Sequence, residues 1–361
     1  MSRMHFANTR DSDMFYVVGG SISDPFFFLE KEGRRTIFLN ALEIGAFRER
    51  NTDIEALPIE KLQKKTQKLG ELAYAILADS ELLGSEIEVS RRFPLDVADY
   101  LRSKDVVLNV RTPFMPERAI KSKSEIDKIR GALEITGGAF RLIEKILQKS
   151  IISDDSIIYE SATLTSELLK REVATYFFNN GMEDPEGMII SSGAQAAMPH
   201  HKGSGPIRPN ETIVCDLFPR NRESGYFADM TRTYVKGTPS PQTVKMYEAV
   251  KSAQDKAFEL IKPGAKAKVI HNAAAKAIKE AGFEVGEKGF IHSLGHGLGL
   301  DVHETPSISS NSSDILEVGN VITIEPGLYY PEYGGIRLED VLVVVPEGYE
   351  LLTLFDKRFL I

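Results

Sequence analysis

The sequence predicts a two-domain chain: an α/β domain over residues 1–118, then a larger α+β domain over 119–361 that repeats its own plan. Three observations carry this. In the first third, short apolar runs of strand character alternate with helical patterns, as in a sheet covered on its faces. The stretch PFMPERAIKSKS (Pro113–Ser124) has two prolines, several basic residues and no apolar period, which marks a boundary. Beyond it the chain runs twice through two helices and then through strands bearing a pair of acids, Asp216 with Asp229 and Glu325 with Glu339. Two halves sharing one site would produce that repeat.

In the first domain MFYVVGG, FFFLE and TIFLN read as strands, the last two joined by the charged turn EKEGRR. A helix is expected from Ile59 to Leu77, then a strand at IEVS, a helix over Leu95–Leu101 and a strand at DVVLNV. His5 falls in what reads as a loose end. In the second domain Ser124 with Asp127 resembles an N-cap, opening a helix that carries Ile126, Ile129, Leu133, Phe140, Ile143 and Leu147 on one side. Gly137 and Gly138 inside it suggest close packing against another element. A second helix, Leu164–Asn179, stops at Gly181 in the manner of a glycine cap. Ser240-Pro241 opens a third, Pro263-Gly264 closes it, and a fourth runs to Gly282.

Hydrophobic content of 42% and charged content of 27% are ordinary for a soluble globular protein. A net charge of −8 argues against nucleic acid, whose phosphates need a concentrated basic surface. The basic run Lys61–Lys68 reads as the wet face of an amphipathic helix. No segment has the apolar length of a membrane span, and MSRMHFANTRDSDMF lacks the apolar core of a signal peptide, so a cytoplasmic protein is expected. Cys215 is the single cysteine, which excludes an intrachain disulfide. It alternates with Asp216, so it should face the core rather than the site.

The four acids sit in or beside apolar, β-branched runs, where an ionised carboxylate is too costly to leave unpaired. One such acid alone is more often part of a structural ion pair. Four together need cations. His296 stands between two glycines in GHG, which allow the backbone to approach a crowded site closely. Two Asp, two Glu and one His match what a pair of divalent ions sharing carboxylates requires, and four negative charges balance two dications. Hard oxygen donors with one imidazole suit Mn²⁺, with Co²⁺, Zn²⁺ or Fe²⁺ as alternatives. Strand alternation puts Arg337 on the side of Glu339 and Thr231 on the side of Asp229, each beside a ligand. Thr323 stands in the same relation to Glu325, where β-propensity is explanation enough.

The motifs PHHK at His200, TIVCDLF at Asp216, GYFADMTRT, GHGLGLDVHE, TIEPGLYY and IRLED come in the order found in the creatinase, aminopeptidase P and prolidase family of metallopeptidases, which this chain resembles. Phe218 replaces a glycine usual in that family, and PRNRES lengthens the connection between the two aspartates. An insertion at a polar hairpin tip costs little. The resemblance implies a pita-bread catalytic domain with a pseudo-two-fold internal duplication, and a homodimer. It implies a metal set of Asp216, Asp229, His296, Glu325 and Glu339. His200 and His303 would be non-ligand histidines that steady the tetrahedral intermediate, Glu325 would also relay the proton, and His292 and Tyr329 would lie near the substrate. The implied reaction is hydrolysis of an Xaa-Pro bond by a hydroxide bridging two ions.

Prolidases tend to carry an arginine after HExP to hold the free carboxylate of a dipeptide. Here HETPS has Ser307, which cannot form that bidentate clamp. The expectation is therefore an Xaa-Pro aminopeptidase acting on short peptides with proline after the N-terminal residue, a reading His292 also favours. Xaa-Pro dipeptidase is the alternative. Hydrolysis of another C–N bond and non-catalytic binding stand further off, since fold does not fix substrate.

Overall fold

The computed structural model describes residues 2–50, 54–63, 66 and 68–361. The chain divides into two compact units, Met1–Arg118 and Ala119–Ile361.

The first unit is built on a six-stranded sheet in the order Glu55–Pro58, Arg34–Leu39, Phe26–Lys31, Ser2–Ala7, Glu86–Ser90, Val107–Arg111. Its central strand is the segment expected to be a loose end. Ser2–Ala7 pairs antiparallel with Phe26–Lys31 and parallel with Glu86–Ser90, and His5 is fully buried beside the Phe93 and Phe114 rings. With few strong strand formers in SRMHFA, neither composition nor period announces it. The run FFFL explains the two-sided core: Phe26 and Phe28 pack on one face with Met14 and Phe47, Phe27 and Leu29 on the other with Ile76 and Val97.

MFYVV, expected as a strand, lies in the helix Ser12–Val18. The Asp11 carboxylate accepts the N–H groups of Asp13 and Met14 at 3.1 and 3.2 Å, and Gly19 closes the helix at φ 66°. A five-residue apolar run has no readable period, so these caps decide its form. The long helix expected from Ile59 is broken into Glu60–Gln63 and Leu69–Asp79. Lys64, Lys65 and Gln67 of the basic run lie outside the described residues. The hairpin, the helix Leu95–Arg102 and the last two strands form where the sequence places them.

In the second unit the first helix, Lys123–Lys149, starts two residues before the expected point. Ser122 and Glu125 form a reciprocal capping box, Ser122 Oγ accepting from the Glu125 N–H and the Glu125 carboxylate from the Ser122 N–H. Gly138 faces the helix Ser166–Asn179, where a Cβ would overlap the Tyr176 hydroxyl, so the two helices approach closely. Pro241–Phe258 opens behind the Ser240 cap, and Ala267–Glu280 follows.

The sheets that carry the acids lie between and after these helices. Ile189–Ser192, Thr212–Leu217 and Met230–Val235 form an antiparallel sheet of three. A five-stranded sheet runs Glu304–Ile308, Gly295–Gly297, Val321–Ile324, Asp340–Val345, Gly348–Leu351, with Gly327–Tyr330 and Gly334–Arg337 paired beside it. A bridge between Thr231 and Glu339 joins the two acid-bearing halves, the Glu339 N–H donating to Thr231 O at 3.1 Å. Arg232, fully buried, locks this junction. Its guanidinium donates to the carbonyls of Glu339 and Phe355 and to the Asp340 carboxylate, at 2.7, 2.7 and 2.8 Å. The lengthened connection after Phe218 is more than a hairpin tip: Arg220–Asn221 pairs with Met182–Glu183, and Arg220 Nε donates to Glu183 at 2.7 Å. Cys215 is fully buried, and burial pushes its thiol pKa up.

Candidate active site

Asp216 lies near the end of the strand Thr212–Leu217 and His296 in the middle of Gly295–Gly297. Asp229 precedes the strand Met230–Val235, Glu325 follows Val321–Ile324, and Glu339 falls between Gly334–Arg337 and Asp340–Val345. Asp229 and Glu339 were expected inside strands. They sit at strand ends, where the side chain is released from strict alternation and can turn to a common point.

That point is compact. Ligand atoms of Asp229, His296 and Glu339 lie within 4.8 Å of one another, and all three residues are buried. His296 Nε2 is 3.8 Å from Asp229 Oδ2 and 3.3 Å from Glu325 Oε1. Asp216 stands on the far side of Arg337, whose guanidinium donates to Oδ2 at 2.6 Å. Asp216 and Glu325 are outside the tightest group but line the same cavity of roughly 520 Å³. The size suits a small ligand.

The electrostatics of this cluster call for positive charge. Burial, then the charges of Glu339, Asp216 and Glu325, push the Asp229 carboxyl well above the usual carboxylate range. Burial, with Glu325 and Asp216, takes Glu339 up to about 8. Burial by itself would lower His296, but the hydrogen bond and charge of Glu325 prevail and raise it to about 9. Burial would raise Glu325, yet His296 beside it brings it below its ordinary value. Asp216 Oδ1 and Asp229 Oδ1 are buried without a hydrogen-bond partner. Acceptors orphaned in this way, among acids that otherwise retain protons, are the donor set a divalent cation satisfies. His296 is oriented for it: Nδ1 lies 3.1 Å from Gly297 O and carries the hydrogen, which leaves Nε2 toward the acids.

Neighbouring side chains hold the acids in place. Thr231 Oγ donates to Glu339 Oε2 at 2.9 Å and accepts from Arg337 Nε at 3.2 Å. Arg337 also donates to the Tyr329 hydroxyl at 2.9 Å, which lies 3.0 Å from His292 Nε2. His292 Nδ1 is 2.7 Å from Ser293 O, an obligatory acceptor, so Nδ1 carries the hydrogen and Nε2 accepts from Tyr329. Burial, which lowers the His292 pKa, favours that neutral ring. His292 lines the cavity; Tyr329 is buried with its hydroxyl engaged. His200 and His303 both line the cavity, and the His303 ring centroid is 4.3 Å from that of His296.

Two contributors were not legible in the sequence. Thr323, readable as plain β-propensity, accepts the His296 N–H at 3.1 Å. Lys121, in a stretch read as linker, is almost completely buried and pairs with Glu304 at 3.0 Å. Glu304 also accepts the N–H groups of Leu300 and Asp301 at 2.8 and 3.0 Å, fixing the loop that leads to His303.

Compared with known proteins, residues 127–346 match the pattern of metallopeptidase family M24. The chain belongs to that family. Its M24 relatives include the Xaa-Pro dipeptidase of Pyrococcus furiosus, 32% identical over 96% of this chain and 92% of the other. The prolidase of Pyrococcus horikoshii superimposes with a TM-score of 0.81 at 28% identity, covering 99% of this chain and 95% of the other. The X-Pro aminopeptidase of Thermotoga maritima gives 0.80 at 26% identity, over 100% and 97%. The fold is thus the pita-bread fold of M24 peptidases behind an N-terminal α/β unit, and the M24 chain is a metal-dependent hydrolase. The relatives from Pyrococcus furiosus and Pyrococcus horikoshii are Xaa-Pro dipeptidases, which favours the dipeptidase alternative over the aminopeptidase expected from Ser307. Among the described residues no helix is long and apolar enough to cross a membrane.

Proposed function

We propose that the chain is an Xaa-Pro dipeptidase whose Asp216, Asp229, His296, Glu325 and Glu339 hold two divalent ions, Mn²⁺ by donor type. The observation that carries this is the buried group of Asp229, His296 and Glu339, with its surplus of negative charge, in a cavity of dipeptide scale. Bound ions would supply electrophilic polarisation of the scissile carbonyl and a nucleophile at neutral pH. The chain's own groups do the rest. His200 and His303, on the cavity wall, donate to the carbonyl oxygen as negative charge develops on it. Burial, then the charge of His296, lowers the His303 pKa, so this ring is neutral at pH 7 and acts as a hydrogen-bond donor. Glu325 carries a proton to the departing nitrogen, which bears none while it belongs to an Xaa-Pro bond. Arg337 steadies Asp216, and Thr231 steadies Glu339. By family resemblance the working form is a homodimer.

The test is a panel of Ala-Pro, Ala-Pro-Ala and Ala-Ala with added Mn²⁺, alongside elemental analysis. Rapid cleavage of Ala-Pro alone and two ions per chain are expected. Equal cleavage of Ala-Pro-Ala would restore the aminopeptidase reading.

A further inference from the structure

The charged groups on the cavity wall divide by what already binds them. The guanidinium of Arg337 is spent on Asp216 at 2.6 Å, and Glu304 on Lys121 at 3.0 Å. Lys202 differs. Its ammonium donates to the carbonyls of Glu186, at 3.0 Å, and of Gly187, and lies 5.0 Å from the centroid of the Phe218 ring. No carboxylate pairs with it among the described residues. An ammonium has three N–H groups, and two carbonyls engage two of them. Carbonyl dipoles and a ring face steady a cation without neutralising it. A donor therefore remains on an ammonium that no carboxylate contacts directly, with Asp184 near enough to feel its charge, on the same cavity as the acid cluster.

The backbone under this lysine is well held. Lys202 O accepts the Ile190 N–H at 3.1 Å, and Gly203, at φ 84°, presses so closely on the Ile190 carbonyl that a Cβ could not fit. Ile189–Ser192 pairs directly with the strand of Asp216, Ile189 opposite Asp216, so the loop of Lys202 is referenced to the site. The same cavity is also lined by Ser307, a neutral hydroxyl.

We propose that Lys202 receives the free carboxylate of the substrate's C-terminal residue and so sets the preference for dipeptides over longer peptides. This rests on the dipeptidase reading. In a dipeptide the carboxylate is joined to the scissile nitrogen through a single Cα, so an ammonium on the same cavity meets it directly. In a longer peptide that position is a neutral amide, which leaves the ammonium unpaired. Lysine acts here as a point charge on a flexible stem, without the planar fork an arginine would supply.

The experiment compares kcat/KM for Ala-Pro and for its C-terminal amide with saturating Mn²⁺, in the natural chain and in Lys202→Met and Lys202→Arg. The natural chain should favour the acid on the order of 10- to 100-fold, the range of a charge-assisted hydrogen bond. In Lys202→Met that ratio should fall to near one through the KM for the acid, and Lys202→Arg should retain most of it. A natural preference that survives unchanged in Lys202→Met overturns the proposal and leaves the dipeptidase reading standing. No preference in the natural chain overturns both. Metal content and the unfolding midpoint of each variant separate these outcomes from loss of the fold.

Discussion

Thr231 has one hydroxyl and two tasks. It gives its hydrogen to Glu339 at 2.9 Å and offers a lone pair to Arg337 at 3.2 Å, so one oxygen couples a proposed metal ligand to the guanidinium that holds Asp216. Valine is nearly isosteric but can do neither. Thr231→Val should therefore lower Mn²⁺ affinity or turnover by about 10- to 100-fold, the usual effect of losing a partner of a ligand. Calorimetric Mn²⁺ titration together with kcat for Ala-Pro measures this. Thr231→Ser keeps the hydroxyl and should recover most of the loss; no difference between the two variants would refute the role. Strand alternation placed Thr231 beside Asp229, but the acid it serves across the bridge is Glu339.

The strand Gly295–Gly297 is only three residues long, and its position is set by how closely it can approach its neighbours. A Cβ at Gly295 would overlap the carbonyl of Thr323, and one at Gly297 the carbonyl of Thr305. Both obstacles are backbone, which cannot swing aside as a side chain can. Gly295→Ala should thus destabilise the protein by about 1–3 kcal/mol, the range for overfilling a packed site. Metal affinity should fall as well, because the His296 N–H bond to Thr323 stretches. Urea denaturation with and without Mn²⁺ tests both, and an unchanged midpoint would mean the strands can part at no cost. The glycines around His296 announced a close approach in the sequence, but not what they approach. Elsewhere the same gap led to misreading: Ser2–Ala7 is central because Phe26–Lys31 and Glu86–Ser90 flank it, a fact its own residues do not carry.

For the whole molecule, the buried acid cluster makes stability depend on pH. Without metal, folded Glu339 has a pKa of about 8 against an ordinary 4.5, and folded His296 about 9 against 6.5; Asp229 is raised too. Each of these holds a proton in the folded state that the unfolded chain releases, so its contribution is complete below the ordinary value and is lost as pH rises through the folded one. Glu325, shifted down, acts in the opposite sense only below its ordinary 4.5, and His271, His292 and His303, also shifted down, only as far as the region of their ordinary 6.5. Chelator-treated protein should then lose stability steadily between about pH 7 and 9, and Glu339→Gln should flatten that slope. Saturating Mn²⁺ should displace the protons and restore stability most at the alkaline end. Thermal unfolding across this range is the measurement; a metal-free protein that gains stability toward pH 9 would contradict the arrangement. By itself the sequence determined the family: four acids and one histidine in a recognisable order, within two halves built alike. Those are properties of residue type and spacing, which the covalent chain carries. Only the tertiary structure decided the partnerships, such as Arg337 with Asp216 and Lys121 with Glu304, which is 183 residues away. Such pairs are selected by burial, which forces each charge to find whatever partner folding brings within reach, and no local pattern records which one that is.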